Sequence, residues 1–170
     1  MKKQLSDVIC ELHVPSFEVA KQFYGDLGFN VLWERKPTEK TKGYMVMKRD
    51  QSVLCFYCGT NEVYDHSYFK QFPSETKRGY AVEIVIPIQG LELLYKKIYK
   101  KYSSQIFSAF ERRFYYPDFR IVDPFGFYLR FVEKYNWVDT RNPDGSPKPE
   151  YKKEAEMFVE LMRKGTNKQS

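Results

Sequence analysis

The chain has 170 residues, of which 42% are hydrophobic and 29% charged, so it is long enough for one packed domain and too apolar for wholesale disorder. Its 28 lysines and arginines exceed its 22 acidic residues and give a formal charge of +6. These basic residues come without a zinc-finger, helix-turn-helix or RNA-binding pattern, so we predict no nucleic-acid partner.

The N-terminus shows no signal-peptide pattern, and no stretch approaches the ~20 apolar residues of a membrane span. The chain has three cysteines, an odd number, and Cys55 and Cys58 alone cannot supply the four ligands of a structural zinc site. We therefore predict a soluble cytoplasmic protein with no membrane partner. Aromatic residues reach 18% of the chain, which suits either an amphipathic cavity or an aromatic core.

The first half of the chain has the element order β, α, β, β, β. An apolar strand over Leu5–Val14 ends at Pro15, and Ser16 is a residue typical of a helix N-cap. Apolar residues at helical spacing follow as far as Gly28, which ends the predicted helix. The extended stretches after it are Asn30–Arg35, Gly43–Lys48 and Ser52–Cys58.

The second half repeats this order. A strand over Ala81–Ile88 precedes a helix that begins after Gly90, and Pro87 indicates an edge strand or a bulge. The later strands are predicted at Gln105–Ser108, Arg113–Val122 and Phe127–Glu133. Equivalent residues of the two halves lie 71 to 74 positions apart, which indicates an internal duplication.

The predicted organisation is a first module over residues 1–59, a connecting loop over 60–79 and a second module over 80–134. The loop is long and aperiodic, as functional lids and disordered linkers are. Residues 135–170 form a C-terminal extension with a helix predicted at about 150–164. We expect that helix to dock on its own domain or on a second subunit.

Three segments carry a family resemblance: Val14–Pro15 followed by FYGDLGF, then VEIVIPI before a helix, then DPFGFYLRFVE over Asp123–Glu133. In these three segments the chain resembles the vicinal oxygen chelate superfamily. That superfamily contains glyoxalase I, extradiol dioxygenases, fosfomycin resistance enzymes and bleomycin resistance proteins. The resemblance covers about Leu5 to Glu133. It implies an α+β fold in which two βαβββ modules form curled mixed sheets around a central cleft, with the helices outside.

The resemblance also implies four strand positions at which the metal-using members hold a divalent ion. Here they fall on Ile9, Glu83, Arg130 and either Val53 or Cys55, depending on register. An arginine has no lone pair to donate to a cation, and an aliphatic side chain has no donor at all. We therefore predict no metal and no cofactor, and keep as the alternative a divalent ion held by Glu11, His13 and Glu83.

Strand alternation turns one set of side chains toward the cleft. The predicted ligand-binding residues are Glu11, His13, Cys55, Tyr57, Glu83, Tyr128 and Arg130. Arg130 is expected either to clamp an anionic group or to pair with Glu83 or Glu11 and so fix the two modules together. Tyr57, Tyr115, Tyr116 and Tyr128 form either stacking walls for a flat ligand or aromatic core, and Asp65–His66 is interpreted as polar loop surface.

The function predicted from these residues is non-covalent binding of a small aromatic or amphipathic molecule by a metal-free, homodimeric protein of the bleomycin resistance-like type. Sequestration of that kind serves antibiotic resistance in such proteins. Because this hypothesis involves no reaction, we assign no catalytic residues. The alternative is a divalent-metal-dependent lyase, isomerase or oxygenase of the same superfamily. A third possibility is an interaction module that works through its C-terminal helix.

Overall fold

The computed structural model describes residues 8–73, 76–111, 117–134 and 142–151, and it contains the same α/β unit twice. The first unit consists of β1 (Cys10–Val14), α1 (Phe17–Asp26), β2 (Asn30–Arg35), β3 (Gly43–Arg49) and β4 (Ser52–Cys58). The second consists of β5 (Glu83–Ile88), α2 (Leu91–Tyr102), β6 (Ile106–Glu111), β7 (Asp118–Val122) and β8 (Tyr128–Glu133). The predicted α+β fold of two βαβββ modules is confirmed.

Each module forms one four-stranded mixed sheet, and the strand orders, β1-β4-β3-β2 and β5-β8-β7-β6, are equivalent. The first strand of each module pairs in parallel with the last, and the other pairs are antiparallel. Cys55 lies opposite Glu11, as Arg130 lies opposite Val85. The sequence left open whether Val53 or Cys55 takes the fourth family position. These pairings show that Cys55 occupies in the first module the place that Arg130 occupies in the second.

Local sequence signals place several boundaries correctly. Ser16 caps α1, and its hydroxyl accepts a hydrogen bond from the Val19 amide at 3.3 Å. Gly28 follows the helix with φ 88°, a conformation that glycine adopts without steric cost. Pro87 lies in β5, which is an edge strand of its sheet, as predicted.

Other boundaries differ from the prediction. β5 begins at Glu83 and not at Ala81, because Ala81 has φ 61° in the turn before the strand. β6 extends to Glu111, beyond the predicted end at Ser108. β7 begins at Asp118, and most of the predicted strand before it, with Tyr115 and Tyr116, lies outside the described residues. So does most of the predicted C-terminal helix; within 142–151 there is a short 3-10 helix, Pro149–Tyr151.

The helix-facing sides of both sheets contribute to one apolar core, and the two modules meet through it. The hydroxyl of Tyr24 in α1 donates to Asp123, in the turn between β7 and β8, over 2.8 Å. At the end of α1, the Asp26 carboxylate accepts from Lys101 and Tyr102 of α2, each at 2.6 Å. We call the opposite face of each sheet its inner face; among the described residues, neither α1 nor α2 packs on it.

None of the helices in the described part of the chain combines the length and the apolar character that crossing a membrane requires.

Candidate functional site

The inner face of the first sheet carries aromatic rings beside one carboxylate. Trp33 and Tyr44 stack with their ring centroids 5.5 Å apart and their planes at 19°. The Tyr44 hydroxyl donates to Glu11 over 2.7 Å, and burial together with this hydrogen bond raises the pKa of Tyr44. Tyr44 therefore remains a neutral donor, and the Trp33 ring, 52% exposed, presents an open apolar surface to solvent.

His13 continues this row of polar contacts along β1. Its Nε2 lies 3.1 Å from the other carboxylate oxygen of Glu11, so one carboxylate accepts from both Tyr44 and His13. The His13 ring packs against Tyr57 with the ring centroids 4.8 Å apart. The side chain of His13 is 16% exposed and that of Glu11 39%, so the histidine lies deeper than its partner.

The loop between the modules covers the His13 end of this face. It begins with a short 3-10 helix, Asn61–Asp65, anchored by Val63 at 1% exposure. The rings of His66 and Phe69 both lie 5.0 Å from the His13 ring, centroid to centroid. His66, interpreted from the sequence as polar loop surface, is therefore part of the site.

The inner face of the second sheet carries an ion-pair network. Arg130 contacts Asp118 at 2.6 Å and Glu83 at 3.8 Å, and Arg120 contacts Glu83 at 2.9 Å and Asp118 at 3.2 Å. Two guanidinium groups thus face two carboxylates, and the formal charge of the network is zero. Tyr128 lies beside it, and burial raises the pKa of its hydroxyl.

The structure therefore divides the seven predicted site residues into two groups. Four lie on the first inner face: Glu11, His13, Cys55 and Tyr57. Three lie on the second: Glu83, Tyr128 and Arg130. Arg130 pairs within its own sheet, so the expectation that its ion pair ties the two modules together is wrong. The polar contacts between the modules are instead those of Tyr24 with Asp123 and of Asp26 with Lys101 and Tyr102. The contact of Arg130 with Glu83 was anticipated, and its shorter contact with Asp118 was not.

The residues missed by the sequence analysis are Trp33, Tyr44, Phe69, Asp118 and Arg120. Alternation along the strands points to several of them, because Tyr44 pairs with Tyr57 and Arg120 with Arg130 across neighbouring strands. Trp33 was harder to place, since a register shift between Val31 and Trp33 interrupts the alternation of β2.

The donor set at the four family positions does not fit a divalent ion. Ile9 offers only hydrocarbon, Cys55 is a buried thiol, and Arg130 is a cation already bound to a carboxylate. Within one chain the alternative set does not assemble either, because Glu11 and His13 are on the first sheet and Glu83 is bound to Arg120 on the second. Within the ranges described, no three His, Cys, Asp or Glu residues group as metal ligands.

The family follows from comparison of the whole chain with known families. Residues 4–137 match the family model described as "Glyoxalase superfamily protein". The chain belongs to the glyoxalase superfamily. The resemblance found in the sequence is therefore confirmed, and the matched range spans both modules. None of the curated proteins compared with the chain is similar to it in sequence.

Solved structures share the fold at low sequence identity. The hypothetical protein SA1046 from S. aureus is 15% identical with a TM-score of 0.55, covering 78% of this chain and 97% of that one. A bleomycin resistance determinant encoded on transposon Tn5 is 17% identical with a TM-score of 0.50, covering 77% and 99%. A putative glyoxalase family protein from Bacillus anthracis is 20% identical with a TM-score of 0.50, covering 79% and 100%. At these identities the likeness shows the fold alone.

Proposed function

We propose that the protein binds a small aromatic or amphipathic molecule on the inner face of its first sheet and sequesters it without chemical change. The observation that carries the proposal is the half-exposed Trp33–Tyr44 stack beside the hydrogen-bonded pair of Glu11 and His13. An apolar wall with a few convergent polar groups is typical of small-molecule sites. The donor set at the family's metal positions supports binding over metal-dependent turnover.

The test is the affinity of the purified protein for 1-naphthol, measured by isothermal titration calorimetry. Trp33→Ala is expected to weaken binding about tenfold, because a stacked aromatic contact is worth roughly 1 kcal/mol or more. Val31→Ala is the matched control: it changes a residue of the same strand, 41% exposed, that pairs with the core residue Met47 on the opposite face. Equal affinities for both variants would contradict the placement of the site.

We further propose that the site is completed by a second copy of the chain. Within one chain the modules meet on the helical side, and both inner faces keep large apolar side chains exposed: Trp33 at 52% on the first, and Val85 at 44% and Phe107 at 73% on the second. A twofold axis would place the first inner face of each copy on the second inner face of its partner, which covers all four faces with one symmetry operation. The neutral network of Arg120, Arg130, Glu83 and Asp118 would then line the opposite wall.

The dimer is tested by sedimentation of Phe107→Asp and Leu93→Asp. These residues are equally exposed, at 73% and 74%, but Phe107 contacts Tyr128 on the inner face whereas Leu93 lies on α2. We expect the unaltered protein and Leu93→Asp to sediment as dimers, and Phe107→Asp to sediment as a monomer. A monomeric unaltered protein, or a dimer that resists Phe107→Asp, would refute this arrangement.

The compartment we propose is the cytoplasm, because Cys10, Cys55 and Cys58 are free thiols, a state that a reducing compartment maintains. Antibiotic sequestration is one biological use of such a binding protein, and the absence of a nucleic-acid partner stays a prediction.

A further inference from the structure

Glu11 fixes which nitrogen of His13 carries the proton. Nε2 lies 3.1 Å from a carboxylate oxygen, and a carboxylate only accepts hydrogen bonds, so Nε2 must be the protonated nitrogen. Glu11 is itself held by the Tyr44 hydroxyl at 2.7 Å. In the neutral ring, Nδ1 is then an acceptor with a free lone pair.

The Nδ1 atom of His13 is buried and has no hydrogen-bond partner among the described residues. Burying a polar atom without a hydrogen-bond partner is unfavourable, and few buried polar atoms in native proteins lack one, so a ligand group that bonds to this atom would remove an unfavourable feature. The surroundings of the ring are aromatic: Tyr57 on β4, and His66 and Phe69 from the loop, all with centroids within 5.0 Å.

Burial, more than the surrounding charges, lowers the pKa of His13 and favours the neutral ring. Burial lowers its pKa most, and Glu11 opposes that effect; His66 and Arg78 lower the pKa further. Arg78 donates to the backbone carbonyl of His13 over 2.7 Å, so its charge is fixed at this position. Since the pKa lies below its usual value of 6.5, Nδ1 keeps its lone pair at neutral pH.

The loop residue that packs on the His13 ring is partly open to solvent. Phe69 is 42% exposed, and its ring contacts those of His13 and His66 at centroid distances of 5.0 and 4.6 Å. The same loop is also held by Val63, which is 1% exposed. A flat ligand ring in the position of Phe69 would make the same kind of ring contacts with His13 and His66, so the exchange replaces the contacts that Phe69 gives up.

Resting on the function proposed above, we infer that the ligand is a neutral aromatic molecule with an O–H or N–H donor, of the phenol, indole or aniline class. Its donor binds the free Nδ1 of His13, and its ring takes the place of Phe69 against His13 and His66. The ligand thus satisfies a buried acceptor that the protein alone leaves unpaired. Glu11 acts as the positioning residue that presents this acceptor.

The test compares 1-naphthol with 1-methoxynaphthalene, which has the same ring system but no donor. We expect the protein to bind 1-naphthol at least tenfold more tightly, and His13→Phe to abolish this preference while keeping an aromatic ring at the position. The matched control is Tyr95→Phe, which changes an aromatic side chain of α2 that packs on Phe110 and Phe119, outside the proposed site, and is expected to retain the preference. The chain has only two histidines, His13 and His66.

The outcomes separate this inference from the proposed function. If both compounds bind equally to the unaltered protein, or if His13→Phe keeps the preference, the inference is wrong and the binding function stands. If neither compound binds, the binding function and the inference both fail.

A second measurement does not depend on the folding of His13→Phe. In His66→Phe the only remaining imidazole is His13, and its ¹⁵N chemical shifts are expected to report a protonated Nε2 and an unprotonated Nδ1. Addition of 1-naphthol is expected to move the Nδ1 resonance. A protonated Nδ1, or a resonance that does not respond, would overturn the assignment.

Discussion

Replacing Asp123 with alanine is expected to lower the free energy of unfolding by about 3 kcal/mol, measured by urea denaturation at pH 7. The Asp123 side chain is 4% exposed and accepts from the Tyr24 hydroxyl at 2.8 Å and from the amides of Phe125 and Phe127 at 2.9 and 2.7 Å. Alanine leaves these three donors without their acceptor. One of them connects α1 of the first module to the β7–β8 turn of the second, so the effect includes loss of the contact between modules.

The internal repeat supplies a matched control for the Tyr24 hydrogen bond. Tyr24→Phe is expected to lower the free energy of unfolding by about 2 kcal/mol, because it removes a hydrogen-bond donor from a buried carboxylate. Tyr95 is the counterpart in α2, and its ring packs on Phe110 and Phe119. Tyr95→Phe keeps those ring contacts and is expected to change stability by less than about 0.5 kcal/mol. Equal costs for the two variants would show that the Tyr24–Asp123 bond does not join the modules.

The part of the stability that depends on the proton of Asp123, as distinct from the hydrogen bonds its carboxylate accepts at pH 7, is expected to decrease as the pH rises from 4 to 7. Burial raises the pKa of this carboxyl from 3.8 to about 6, although Tyr24 and the turn amides oppose the shift. Between these values the folded protein keeps a proton that the unfolded chain has released, so unfolding becomes easier with rising pH. The contribution is complete below about pH 4 and is lost as the pH passes 6. Its full size is roughly 3 kcal/mol.

The measurement is the unfolding free energy of the protein minus that of Asp123→Asn, which does not titrate, at several pH values. We expect this difference to fall by up to about 3 kcal/mol between pH 4 and pH 7. A difference that rises with pH would mean that the hydrogen bonds outweigh burial and that the carboxyl is more acidic than usual. Carbon-13 NMR of the Asp123 carboxyl gives the same pKa directly.

Local signals in the sequence predict most of the fold. The cap at Ser16, the turn at Gly28 and the repeated order of strands and helices require only nearby residues, and the structure agrees with them. The inward orientation of Glu11 and His13 also follows from alternation with the buried Leu12 and Val14. Prediction is accurate where one residue's conformation depends on its chain neighbours.

Contacts between distant segments were harder to predict. Arg130 was correctly placed on an inner face, but its partner Asp118 was not named, because the ion pair joins side chains of two different strands and depends on how β7 and β8 align. His66 was interpreted as loop surface, since nothing in the loop sequence shows that it folds back onto His13. The bond between Tyr24 and Asp123 spans 99 residues, and no local pattern encodes such a contact.

The most direct test of the account is to map the binding of 1-naphthol by ¹H–¹⁵N correlation spectra of the unaltered protein. We predict chemical-shift changes centred on Glu11, His13, Trp33 and Tyr44 and on the loop around Phe69, with the Tyr24–Asp123 contact between the modules unaffected. Shift changes confined to the helices, or no change at saturating probe, would contradict it.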